Sequence, residues 1–305
     1  MASSAQGSQV RFCMEPDAAP HTFDSSSEPY DPLYESLQKR GRIVGGSTIR
    51  GTRSQSYERT RYGHYQVGGQ VAFNISPRDL DLWLPRILGA AESTDSFALA
   101  DTLPSFGILV DRITQTFQYK DCVVNRAMIH AKAGPGDGDP DLLELVLDIF
   151  AKDETTGTSY PSLTLSTASN VAPYVMSDCA TLTLAGAARQ MKEFWLTVNN
   201  HLQRRWTHSI TATRITPRDR TVNFRAVFPY DDDHSSLYGQ ALAGATGTVT
   251  FTNSGISKSL SMVFGTLQSP DISPVVSGKQ EINIQIDAIA RKTGSTTELA
   301  TTSTS

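Results

Sequence analysis

Tyr65, Val67, Gly69, Val71, Phe73 and Ile75 alternate strictly with His64, Gln66, Gly68, Gln70, Ala72 and Asn74. Successive side chains of a strand point to opposite faces, so alternation over this length predicts one buried and one solvated face. A chain built around such a strand must supply a layer for the apolar face and partners for both edges. The pattern stops at Ser76-Pro77. Ser76 suits a helix N-cap, and Pro77 suits the first helical position, where no backbone donor is needed. Leu80, Leu84, Ile87 and Leu88 follow at helical spacing, and Gly89 ends the run. Pro85 is expected to kink or shorten this helix.

A second sheet segment follows. Val123, Ala127, Ile129 and Ala131 share one parity, the chain turns through residues 134–141 (GPGDGDPD), and Leu143, Leu145, Leu147 and Ile149 return. This predicts a hairpin with a long acidic, glycine-rich tip. The same order then recurs. Val222, Phe224, Ala226 and Phe228 alternate, Pro229 and Asp231-Asp232-Asp233 follow, and Leu237, Tyr238, Ala241 and Leu242 fall at helical spacing before Gly244. Leu260, Met262 and Phe264 lead to a loop with Pro270, Asp271 and Pro274, and Ile282, Ile284, Ile286 and Ala288 return. Each half reads strand, proline, short helix, glycine, hairpin, which predicts an internal duplication of a β-rich unit. Thr181–Leu184 and Phe194–Val198 read as a strand pair opening the second unit. The region around Ile43–Ile49 is their counterpart in the first.

These patterns set the expected boundaries. Residues 1–40, broken by Pro16, Pro20, Pro29, Pro32 and three serines, read as a flexible N-terminal arm. Residues 41–154 form the first unit, 155–172 a linker, 173–292 the second unit and 293–305 a polar tail. The expected fold class is mainly β, with sandwich or barrel units that each carry a short packed helix. A length of 305 residues suits two domains, and 39% hydrophobic with 19% charged residues indicates a globular body. The formal charge of −4 lacks the basic excess of a protein that grips a nucleic-acid backbone. Cys13, Cys122 and Cys179 are far apart and form no CxxC pair, which points to reduced thiols. The chain shows no apolar signal core near its start and no stretch approaching the roughly 18 apolar residues of a membrane span.

Motifs of chemistry are sparse. Arg42-Ile43-Val44-Gly45-Gly46 matches the activation site of chymotrypsin-like proteases, but that family's histidine, serine and disulfide contexts are missing. Six dispersed histidines give no metal-ligand spacing. Asp231-Asp232-Asp233-His234 reads as a solvated helix start, favoured by the helix dipole. Asp137, Asp139 and Asp141 are spaced as in calcium loops but lack the closing glutamate. Gly134–Gly138 lacks the lysine of a phosphate loop. Arg204-Arg205-Trp206 is a small basic-aromatic cluster, read as a surface or subunit contact ahead of a nucleic-acid contact. No catalytic residue, metal site or cofactor is expected.

Residues 49–53 (IRGTR), then 61–69 (RYGHYQVGG), then the strand and helix from Phe73 to Gly89, resemble the N-terminal region of long-tailed phage tail tube proteins. Residues 117–125 (FQYKDCVVN) resemble another strand of that family, with Asp121 where glycine is common, and residues 194–202 (FWLTVNNHL) resemble a third segment. The resemblance spans about residues 43–292. It implies a β-sandwich or barrel unit with one helix, and rings of such units stacked into a tube through which the genome passes. Duplicated members imply trimers with pseudo-six-fold symmetry. Tape-measure, tail terminator and baseplate proteins are implied partners, and DNA passes without specific binding. The site of manufacture implied is the host cytoplasm, and the destination is the virion.

The residues expected to make intersubunit contacts follow from loop length and from apolar points on a polar arm. They are Lys132, Gly134, Pro135, Asp137, Asp139 and Asp141 at the first hairpin tip, and Pro270, Asp271 and Pro274 in the second loop. Tyr30, Leu33, Tyr34 and Leu37 are the expected docking points of the arm. The main competing class is another β-sandwich virion protein, either a capsid decoration protein or a carbohydrate-binding adhesin; a hydrolase ranks third.

Overall fold

The structure, a computed structural model, describes residues 7–16, 21–45, 57–133, 142–163, 172–231, 237, 239, 244–253, 255–270, 282–294 and 297–303. The first half contains β1 (Arg11–Glu15), β2 (Glu28–Tyr30), β3 (Tyr34–Glu35), β4 (Gln38–Gly45) and β5 (Thr60–Asn74). Helix α1 (Pro77–Leu88) follows, then β6 (Ser96–Ala98), β7 (Phe106–Asp111), β8 (Thr116–Lys132), β9 (Glu144–Ala151) and β10 (Asp153–Thr156). The second half contains β11 (Cys179–Leu184), β12 (Ala187–Ala188), β13 (Glu193–Asn199), β14 (Gln203–Arg205) and β15 (Arg214–Thr216). It ends with β16 (Thr221–Pro229), β17 (Ala245–Asn253), β18 (Lys258–Gln268), β19 (Asn283–Arg291) and β20 (Leu299–Ser303). The protein is mainly β, as the alternating patterns predict.

All pairings are antiparallel, and the two halves use the same set. β1 joins β2 and β7, as β11 joins β12 and β17. β8 joins β7, β9 and β10, as β18 joins β17, β19 and β20. β5 lies between β9 and β4, as β16 lies between β19 and β13. Register agrees as well: Val67 faces Ala151 and Asn74 faces Glu144, while Val222 faces Ala290 and Pro229 faces Asn283. Each long strand also carries one extra residue, between Tyr119 and Cys122 in β8 and between Phe264 and Leu267 in β18. In β8 that bulge holds Asp121 at φ 49, a left-handed conformation that favours glycine. The bulge thus sets a backbone requirement that glycine would meet without strain. Aspartate meets it, with its amide donating to His21 Nε2 at 3.1 Å and Lys152 reaching its carboxylate at 3.3 Å.

Helix α1 starts where its sequence signals it. The Asp79 carboxylate accepts the Ser76 amide at 3.0 Å and the Ser76 hydroxyl at 2.7 Å, and Gly89 closes the helix at φ 103. Pro85 does not cut the helix short. It lies in the last turn, where its carbonyl accepts the Gly89 amide at 2.9 Å, and the chain stays helical to Leu88. Leu84, Ile87 and Leu88 meet Ala127, Ile129, Leu196, Val198, Met262 and Leu299, so the helix packs beneath both halves at once. In the second half Leu237 and Gly239 are helical and Leu237 is buried; Tyr238, Ala241 and Leu242 lie outside the described residues.

Several boundary expectations need correction. Residues 11–16 and 21–40 do not form a free arm. β1 is sandwiched between β2 and β7, and Phe12, 1% exposed, packs its ring 6.0 Å from Phe73 and 6.2 Å from Tyr30. The expected polar tail is also part of the fold. β20 pairs with β18 and β6, and Leu299, Thr301 and Ser303 are buried. The expected linker begins later than 155, because Thr155 and Thr156 still pair with β8. β11 and β13 do not pair with each other; they belong to different parts of the second unit. The counterpart of β13 is Tyr34–Arg40 rather than the region around Ile43–Ile49. Tyr34 faces Ala72 and Arg40 faces Gln66, which is the register of Glu193 on Val227 and Asn199 on Thr221.

Because β1 is core, Phe12→Ala should cost about 3–5 kcal/mol, read as a lower urea midpoint of the free subunit. Deleting residues 1–16 should prevent stable folding altogether. An unchanged midpoint in either variant would return this segment to the status of an arm.

Candidate functional site

The surfaces that matter for a chain of two like units are the ones where units meet. One such contact lies within the chain. The C-terminal part of β8 pairs with β13 from Lys132 opposite Glu193 to Arg126 opposite Asn199. Just past it, the buried Asn200 side chain donates to the carbonyls of Ile87 at 3.2 Å and Val124 at 3.1 Å. Asn125 accepts the Leu202 amide at 2.9 Å and donates to Asp148 at 2.8 Å. These bonds fix the register of the junction from one end, since a buried amide left unpaired is costly.

The junction's solvent-facing side is a chain of compensated charges. Lys132 lies 3.3 Å from Glu193. The His130 ring stacks on Trp195 at 4.9 Å, and Arg225 covers Trp195 at 4.5 Å while lying 3.5 Å from Asp287. By the strand alternation these residues share one face of β8, β13, β16 and β19, opposite the core side chains Ala131, Phe194, Ala226 and Ile286.

A second surface has the same geometry without the partner. Among the described residues nothing pairs with the outer side of β3 and β4. The Ser36 amide donates inward to Gln70 at 2.8 Å, so the amides of Glu35, Leu37 and Lys39 face away from β5. Leu37 is capped by side chains instead. Its N–H donates to the Glu35 carboxylate at 2.9 Å, and its carbonyl accepts Arg112 at 2.7 Å and the Tyr119 hydroxyl at 2.8 Å. Arg112 also holds both Glu35 oxygens, at 2.8 and 3.0 Å. Burial works against the Arg112 charge, but the bonds to Glu35 and Tyr119 outweigh it and raise the pKa.

A third surface is the ribbon of β14 and β15, which leans back from the second unit over the first. Arg204 donates to the Val67 carbonyl at 2.7 Å and lies 3.5 Å above the Phe150 ring. Trp206 donates to the Tyr65 carbonyl at 3.2 Å, and the Tyr65 amide donates to Ile210 at 2.8 Å. Burial lowers the Arg204 pKa. The basic-aromatic cluster is therefore an internal clasp between units.

A family model described as phage tail tube protein matches residues 6–290, which takes in both units and begins before β1. The chain belongs to the phage tail tube protein family. No curated protein compared with it matches. The family is one of structural virion components and not of enzymes.

The tail tube protein distributes the expected contact residues unevenly. Tyr30 and Leu37 are buried core residues and cannot act as docking points, because each fills the space left by the strands around it. Leu33 and Tyr34 remain 53% and 45% exposed on the free edge. Lys132 ends β8 and is engaged with Glu193, and Pro270 is exposed just past β18. Gly134, Pro135, Asp137, Asp139, Asp141, Asp271 and Pro274 lie outside the described residues. The stack of His130, Trp195 and Arg225 escapes sequence reading. Its signal was parity alone, each residue sitting on the polar side of an alternating strand.

Arg204→Ala should destabilise the free tail tube protein by about 1–3 kcal/mol, because it removes a charged hydrogen bond and the cover of Phe150 together. Chemical denaturation measures it. Arg204→Lys should recover only part of the loss, since an ammonium does not stack as a guanidinium does. Full rescue by lysine would show that charge alone matters.

Proposed function

We propose that the protein oligomerises into rings that stack into the phage tail tube, the conduit for genome delivery, with three chains per ring. The observation that carries this reading is the unpaired edge Tyr34–Arg40, which stands on β5 in the register that β13 has on β16. β13 uses its outer side to bind β8. An equivalent edge left open at the other end of the chain invites the same kind of contact from a neighbour, which closes into a ring if the rotation repeats. Two units per chain and three chains would give six units around the axis, and the number of strands sets the circumference.

The compensated face of β8, β13, β16 and β19 suits the lumen. Two of its cations, Lys132 and Arg225, each have a carboxylate within reach, so a passing phosphate backbone gains little from displacing either. Residues 134–141 are proposed to make contacts between stacked rings, along with Asp271 and Pro274. Tape-measure, tail terminator and baseplate proteins are the partners that the family suggests, and synthesis takes place in the host cytoplasm before incorporation into the virion. A capsid decoration protein or an adhesin would instead remain without tubes.

Native mass spectrometry of isolated rings should give three chains, and symmetry-free averages of tube cross-sections should show six similar lobes. Six chains per ring would sink the stoichiometry. Lys39→Pro removes an amide that faces away from β5 together with the Lys39–Asp153 ion pair, so the free subunit should lose about 1 kcal/mol or less while rings no longer form; Lys39→Ala, which keeps the amide, should show the stability loss and still form rings. Replacing residues 134–141 with Asn-Gly should leave rings intact and stop their stacking; tubes of normal length would remove the tip from the inter-ring contact.

A further inference from the structure

The inner end of each unit carries a projection between two equivalent strands. In the second unit it is the ribbon between β13 and β16, and in the first it is the hairpin formed by the ends of β4 and β5. The ribbon has its resting place inside the chain, on Tyr65, Val67 and Phe150 of the first unit. The base of the hairpin meets that same ribbon, His64 lying 3.2 Å from the Ser209 carbonyl and 5.7 Å from the Trp206 ring, but its outer end has no resting place among the described residues. It holds Ile43 and Tyr62 opposite each other, 64% and 68% exposed, an apolar pair that water alone would not maintain on a projecting hairpin.

The repeated register says where such a projection rests. Val67 and Phe150 correspond to Val222 and Ile289, since Val67 faces Ala151 as Val222 faces Ala290. In the first unit the outward side of β9 is half-buried and Phe150 is covered by Arg204. In the second unit the matching side of β19 is exposed throughout, and Ile289 is an apolar side chain 38% exposed among Asp287 and Arg291. One chain therefore has a projection whose outer end lacks a seat and a seat without a projection.

We propose that the β4–β5 hairpin of one copy docks on the second unit of the next copy, with Ile43 and Tyr62 over Ile289. This rests on the ring reading above and specifies the contact that locks adjacent chains after their edges meet. The contact differs in chemistry from the internal clasp: apolar side chains at its centre replace a buried guanidinium, and the charges of Asp287 and Arg291 lie at its rim.

The test places photoreactive benzoylphenylalanine at Tyr62, with Ile43 as a second position, in tubes assembled from a mixture of isotopically heavy and light chains. After irradiation and digestion, the adduct should map to the peptide containing Ile289 and should join heavy to light chains. In parallel, Ile289→Asp should leave the melting temperature of the free subunit unchanged and weaken assembly about tenfold or more. Tubes whose adducts map to any other face, or normal assembly of Ile289→Asp, overturn the docking while leaving the ring intact. If the unmodified chain forms neither rings nor tubes, the ring reading falls and the docking falls with it.

Discussion

The structure depends on one strand. β8 runs from Thr116 to Lys132 and belongs to two sheets. Its first part lies between β7 and β10, and its second part lies between β9 and β13. The change of partner coincides with the bulge at Asp121, where the extra residue turns the strand and offsets its register. Without that turn the sheet of β1 and β7 could not fold over the helix, and β13 would have no edge to join. The second unit repeats the solution in β18, where the sterically close residue is Gly265: a Cβ there would lie 2.3 Å from the Arg291 carbonyl. The two long strands thus accommodate their bulges in different ways. The first tolerates a left-handed aspartate, and the second needs a glycine for close approach.

Packing and polarity divide cleanly across the main sheet. The inner face is apolar and takes α1, with Trp83 fully buried among Phe73, Tyr30 and Phe106. The thiols follow the same division. Cys13 and Cys122 are buried, and burial pushes the Cys13 thiol up to about 12, so neither is a nucleophile at neutral pH. The outer face is polar, and Lys132 and Arg225 on it each lie beside a carboxylate. A surface of mixed charge has no strong field of either sign, which under the lumen assignment proposed above would let a polyanion slide along it without being held.

Much of this was legible in the sequence, and the exceptions share a cause. β5, α1 and the β8–β9 hairpin were readable because each is long enough to repeat its period several times. β1 was not, because Phe12, Cys13 and Met14 are all buried and five residues ending at Pro16 show no alternation. β20 was not, because Thr301 and Ser303 occupy buried positions, and small polar residues there look like a tail. In both cases tertiary pairing overrides composition. Pro85 misled for a geometric reason: a proline in the final turn leaves most of the helix's bonding pattern before it unchanged. The pairing of the two halves could not be read at all, since His130, Trp195 and Arg225 meet only after three strands are in place.

The two units are alike in pairing and unlike in surroundings, and the difference falls at the edges. β13 has a partner along its outer side, whereas Tyr34–Arg40 has side chains in that role. A fully open edge would present its amides and carbonyls to any strand, including wrong ones. Here Glu35 and Arg112 occupy the Leu37 amide and carbonyl, and the pair is bidentate, so it is geometrically selective. A strand that adds here must offer more than backbone bonds, because it competes with bonds already made. In the proposed ring, matching side chains and a second contact at the hairpin would supply that excess only for the correct neighbour. The same sequence would then remain a separate subunit at low concentration and still close a ring, with selectivity residing in the sum of two contacts rather than in either one.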